Sequence, residues 1–103
     1  MNKSHALIGD IGNTVTKICI IDLKSYKIKK LIYFNSKKIL SKSYLSSKLN
    51  KFIIKKKIVK TGLFSSVVPK YYLLLNKFFD QSFKIKLKKV KNKNINKIVK
   101  INV

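Results

Sequence analysis

Leu7-Ile8-Gly9-Asp10-Ile11-Gly12-Asn13-Thr14 decides how the rest of this chain is read. An apolar run ends in one carboxylate, and a glycine-bearing turn with a threonine follows at once. Such a run predicts a buried strand over residues 5–9, and Gly12-Asn13 is a permitted two-residue hairpin turn. Small residues in a tight turn leave backbone N–H groups unobstructed, so they can converge on phosphate oxygens, with the Thr14 hydroxyl as a further donor. Asp10 stands where a carboxylate can hold the waters of a phosphate-bound Mg²⁺. The same residues also suit an ordinary hairpin, and the segment alone does not choose.

Working outward, residues 15–22, with Ile18-Cys19-Ile20-Ile21 among them, predict a second strand just across the turn. Residues 26–34 predict a third after the polar Lys24-Ser25 corner. Short polar connections between three such runs imply an antiparallel meander. The period then changes. Tyr44, Leu45, Leu49, Phe52 and Ile53 recur at helical spacing, which predicts an amphipathic helix over residues 41–54. Residues 58–65 return to strand composition, interrupted by Lys60-Thr61-Gly62. Pro69 suits the first turn of a second helix, where its missing N–H costs nothing. Tyr71, Tyr72, Leu74, Leu75, Phe78 and Phe79 give that helix a wide apolar face, read as core, and Asp80-Gln81-Ser82 is expected to end it. Phe83, Ile85 and Leu87 alternate with lysine, the sign of a half-buried strand.

A meander followed by strand–helix alternation implies an α/β fold: a mixed five-stranded sheet with helices on its faces. Residues 1–88 read as the folded lobe. Residues 89–103 are rich in lysine and asparagine, with Val99, Ile101 and Val103 alternating at the end. They read as a final edge strand or as an unfolded tail.

A chain of 103 residues, 46% of them apolar, has room for one modest domain with a packed core. No apolar run approaches the ~20 residues of a membrane span, and no secretory leader pattern precedes Asp10, so a cytoplasmic protein without membrane association is expected. Cys19, the single cysteine, lies mid-run and reads as a small core residue. With one cysteine and one histidine, no transition-metal cluster can be proposed, and His5 reads as an edge residue. The net charge of +22 invites a nucleic-acid reading, yet all 25 basic residues are lysine. Arginine makes the bidentate contacts that read guanine edges, so its absence argues against a specific nucleic-acid partner. Abundant lysine, asparagine and isoleucine without arginine is what a strongly AT-rich coding sequence produces. A salt-sensitive, non-specific attraction to polyanions still follows from the charge.

Two stretches carry a resemblance. Gly9-Asp10-Ile11-Gly12-Asn13-Thr14 resembles the N-terminal phosphate loop of the type III pantothenate kinases, members of the actin-like superfamily that includes sugar kinases and Hsp70-type ATPases. Ser65-Ser66-Val67-Val68-Pro69 resembles that family's second signature, which lies between a strand and a helix. The resemblance implies a ribonuclease H-like, actin-like lobe and phosphorylation of pantothenate from ATP, on the way to coenzyme A. It implies Mg²⁺ and a monovalent cation, K⁺ or NH₄⁺, as cofactors. Asp10, Ile11, Gly12, Asn13, Thr14, Val15, Thr16 and Lys17 would form the ATP-binding stretch, with Asp10 at the metal. Full-length relatives pair as homodimers.

The chain also departs from that pattern. The family's base follows a Gly-x-Asp-Arg motif, and this sequence contains no arginine. Its other carboxylates, Asp22 and Asp80, lack that context. The expectation is an N-terminal lobe, truncated or encoded by a split or decayed reading frame, with no catalytic base of its own. A separately encoded second lobe is the partner that would complete it, and the lobe alone should bind ATP weakly and not turn over. The rival readings are a small lysine-rich nucleic-acid-binding module and a remnant without selected activity.

Overall fold

The apolar run that opens the chain becomes the centre of the sheet. In the computed structural model, which describes residues 5–53, 58 and 60–91, strand β1 (His5–Ile11) is buried on both sides. Leu7 and Ile11 face one way and Ile8 the other, each at most 1% exposed. Strand β2 (Val15–Asp22) pairs antiparallel with β1, and β3 (Ile28–Asn35) pairs antiparallel with β2. On the other flank β4 (Thr61–Ser66) runs parallel to β1, and β5 (Lys86–Lys89) parallel to β4. The sheet order is therefore β3-β2-β1-β4-β5, the mixed five-stranded sheet that the alternation implied.

Helices α1 (Lys42–Ile53) and α2 (Pro69–Phe83) make the return crossings that parallel pairing requires. Both pack on one face. Leu45, Leu49 and Phe52 of α1 and Leu75, Phe78 and Phe79 of α2 join Leu7, Ile11, Ile18, Ile20 and Phe64 of the sheet in one cluster. A fully buried side chain of this kind contributes about 1.5–3 kcal/mol, so this face dominates the stability. The opposite face carries a smaller cluster, Ile8, Cys19 and Ile21, with Leu31 and Val90 packed against it. Burial pushes the Cys19 thiol up to about 11, so it stays protonated near neutrality and behaves as a core residue.

Local chemistry moves several element ends from where periodicity alone puts them. β3 begins at Ile28, because Tyr26 occupies the left-handed region at φ 59 inside a turn. Asp22 holds that turn, its carboxylate accepting from the Lys24 N–H at 3.0 Å and the Ser25 hydroxyl at 3.2 Å. The Lys24 N–H is the main reason the Asp22 carboxyl lies below its ordinary value. The Ser41 hydroxyl accepts from the Tyr44 N–H at 3.2 Å, the bond an N-cap makes, so α1 starts one residue later at Lys42. α2 runs past Asp80-Gln81-Ser82 to Phe83, whose ring packs 5.9 Å from that of Phe79. Lys84 then turns left-handed and closes the helix, and Leu87 reaches β5. Ile54 and the alternation at Val99, Ile101 and Val103 lie outside the described residues. Among the described residues no helix is long and apolar enough to cross a membrane.

Candidate functional site

Parallel pairing of β1 with β4 sets Asp10 opposite Ser65 and Ile11 opposite Ser66. The two signature stretches, 55 residues apart, thereby meet at the carboxyl ends of adjacent strands, where α/β sheets place their ligands. The Ser65 hydroxyl donates to Asp10 Oδ1 at 2.6 Å, a short charge-assisted bond. Asp10 Oδ2 has no hydrogen-bond partner among the described residues. One carboxylate oxygen is thus pinned and the other left for a ligand. The Val67 N–H donates to the Ile11 carbonyl at 3.1 Å, and the Ser66 hydroxyl accepts from the Val68 N–H at 3.1 Å, which stiffens the turn before Pro69. A cleft of about 480 Å³ opens here, lined by Asp10, Ser65, Ser66, Val67, Lys89, Val90 and Lys91.

The bend between β1 and β2 spans Gly12, Asn13 and Thr14, one residue more than the two-residue turn expected from Gly12-Asn13. A hairpin turn of that shorter kind needs positive φ, and none of the three has it. Hydrogen bonds from outside the hairpin hold it instead. Ser36, in the 3-10 turn Ser36–Leu40, donates its hydroxyl to the Gly12 carbonyl and its N–H to the Thr14 carbonyl, each at 2.7 Å. Gly12 is required for a different reason: a Cβ there would lie 2.9 Å from the Val15 carbonyl oxygen.

The eight residues of the expected ATP-binding stretch divide by orientation. Asp10 is partly exposed, Asn13, Thr14 and Val15 are exposed, and Lys17 pairs in register with Asp10, which places both on one sheet face. The Gly12 N–H is committed to the Val15 carbonyl at 3.0 Å, whereas those of Asn13 and Thr14 have no partner among the described residues. Ile11 and Thr16 face inward, both 0% exposed, and the Thr16 hydroxyl lies 2.7 Å from the Ser36 hydroxyl. Among the described residues no group of three His, Cys, Asp or Glu could hold a metal ion. Asp10 alone suits Mg²⁺ carried on phosphates, an ion that keeps several waters and needs one or two carboxylates.

The matching region of the type III pantothenate kinase family model covers residues 6–103, nearly the whole chain. The chain belongs to the type III pantothenate kinase family. It is 40% identical over 97 residues to the type III pantothenate kinase of Pelagibacter ubique (strain HTCC1062), covering 94% of this chain and 38% of that protein. It is 34% identical over 83 residues to that of Malacoplasma penetrans (strain HF-2), covering 77% of this chain and 32% of that one. The chain thus spans between about a third and two-fifths of these relatives' lengths. A solved structure described as a reductive activator for corrinoid, iron-sulfur protein superposes with a TM-score of 0.52 at 14% identity, covering 81% of this chain and 18% of that one. That likeness speaks to the fold alone and accords with an actin-like lobe.

The second signature includes Ser65 without marking it as the partner of Asp10, and nothing in the sequence singled out Ser36. The signal for Ser65 was its place in the second signature, but that it meets Asp10 depends on the parallel register of β4 with β1. Ser36 is an ordinary polar residue whose place depends on the register of β2 with β3.

Proposed function

We propose that this chain is the nucleotide-phosphate-holding lobe of a kinase that phosphorylates pantothenate from ATP, in coenzyme A biosynthesis. One observation carries the reading: Asp10, oriented by Ser65, stands beside a bend whose Asn13 and Thr14 N–H groups are unspent. Those amides and the Thr14 hydroxyl donate to phosphate oxygens, while Asp10 Oδ2 orients the waters of the metal. Mg²⁺, when bound, supplies neutralisation of the charge that develops on the transferring phosphoryl group. Lys17, which pairs with Asp10 on the same sheet face, adds positive charge where phosphates gather, whereas the Lys89 ammonium lies over the Tyr72 ring at 5.4 Å on the face that α2 covers. A monovalent cation, K⁺ or NH₄⁺, joins ATP and Mg²⁺ as a cofactor in this reading.

Phosphoryl transfer draws on positioning and electrostatic stabilisation, and a chain without arginine lacks the Gly-x-Asp-Arg base motif. We therefore assign the chain no turnover by itself and infer that a second lobe of the same family completes it, in the cytoplasm and without a membrane or specific nucleic-acid partner. The test is isotope transfer from ATP to pantothenate, with the chain alone and with the remainder of the Pelagibacter ubique relative added. Transfer only in the mixture supports the reading. Failure of the chain to bind Mg·ATP in calorimetry removes it.

A further inference from the structure

Every peptide described in this chain is trans, so within each one the C=O and N–H point opposite ways. Ser36 takes both outward-leading carbonyls of the bend, Gly12 through its hydroxyl and Thr14 through its N–H. The peptide that carries the Gly12 carbonyl carries the Asn13 N–H, and the one that carries the Thr14 carbonyl carries the Val15 N–H. Holding both carbonyls against Ser36 turns both N–H groups to the far side of the bend, away from it.

The latch is built into the interior. Ser36 and Thr16 are both 0% exposed, and their hydroxyls lie 2.7 Å apart. A hydroxyl has one proton, and that of Ser36 goes to Gly12, so the Thr16 hydroxyl donates to Ser36. The register of β2 with β3, Val15 opposite Asn35 and Thr16 opposite Phe34, delivers Ser36 to this place. Asn35 fixes the turn that follows by accepting from the Lys37 N–H at 3.0 Å.

We propose that Ser36 is a positioning residue for phosphate binding: by holding the Gly12 carbonyl it turns the Asn13 amide outward to phosphate oxygens, and by holding the Thr14 carbonyl it fixes the far end of the bend. The proposal rests on the nucleotide-site reading above and adds a residue outside both signatures. A bend free to flip either peptide would offer carbonyl oxygens to the phosphates and repel them. A purely structural Ser36 would change stability and leave anion affinity alone.

The experiment follows the Asn13 and Thr14 amide signals of the full 103-residue chain by ¹H–¹⁵N NMR during titration with Mg·ATP and with pyrophosphate. In the native chain both signals should shift saturably. Ser36→Ala should raise both dissociation constants about tenfold, the scale of one lost hydrogen bond. Ser36→Cys, close in size and a weak donor, should raise them several-fold and serves as the deciding variant if the alanine chain does not fold. Leu49→Ala, a core truncation in α1 remote from the bend, should lower the unfolding temperature and leave both constants unchanged. Native affinity in the Ser36 variants, or an equal loss in Leu49→Ala, overturns the proposal while a weakened Asp10→Asn keeps the site reading. Motionless Asn13 and Thr14 signals at saturating ligand overturn both.

Discussion

Replacing Gly9 by alanine would set a Cβ 2.0 Å from Cε2 of Phe64 and 2.5 Å from its Cδ2 and Cζ. Ordinary contact lies between 3.4 and 4 Å, so the ring must retreat by more than an ångström. It has nowhere open to go. Phe64 is 0% exposed, and its ring packs 6.0 Å from that of Phe79, which is itself fully buried. Overpacking of a full core costs about 1–3 kcal/mol, and a clash this deep belongs at or above the top of that range. For a domain of this size about 3 kcal/mol corresponds to a fall of roughly 12–24 °C in unfolding temperature. The damage should reach the site, because Gly9 pairs with Phe64 one residue before Asp10 pairs with Ser65. Thermal unfolding followed by circular dichroism, with urea titration alongside, measures the loss. Gly9→Ala combined with Phe64→Leu should recover part of it, since the smaller side chain vacates the space the methyl needs. A Gly9→Ala chain within a few degrees of native stability, or no recovery in the double variant, would refute the packing argument.

Asp10→Asn should leave the fold intact, since the amide oxygen still accepts from Ser65, and should weaken Mg·ATP at least about tenfold while affecting metal-free ATP much less, as read by calorimetry. Lys84→Gly should stabilise by about 0.5–1 kcal/mol in urea titration, because Lys84 holds φ 57 at the end of α2, where glycine avoids the left-handed penalty. Cys19 should resist alkylation at pH 8 until the chain unfolds. Its folded pKa is raised from 9.0 to about 11, so the stability it contributes is complete below pH 9 and should be lost as pH rises from there through 11, measurable as a falling unfolding midpoint relative to Cys19→Ala.

Much of the architecture was legible because it repeats along the chain. The unbroken apolar run of β2 is written by burial of both its faces, and the helical period of Tyr44, Leu45, Leu49, Phe52 and Ile53 by burial of one side of α1. Element ends were less legible. They turn on single backbone conformations, such as Tyr26 and Lys84 at positive φ, which no periodic pattern announces. The site divided in the same way. Asp10 and the bend stand out as a carboxylate and small residues closing an apolar run, whereas the inward turn of Ile11 and Thr16 appears only once the strands pair.

By itself the sequence determined the order of strands and helices, the family, and the place of the acidic group at a strand end. These are local facts, set by neighbours along the chain. Only the tertiary structure decided that β4 lies parallel to β1 and hands Ser65 to Asp10, that α1 and α2 share one face of the sheet, and that Ser36 braces the bend. Those pairings join residues 24 and 55 positions apart. Distances of that kind are fixed by how whole faces pack and by the register that buries them, and such information resides in no single stretch.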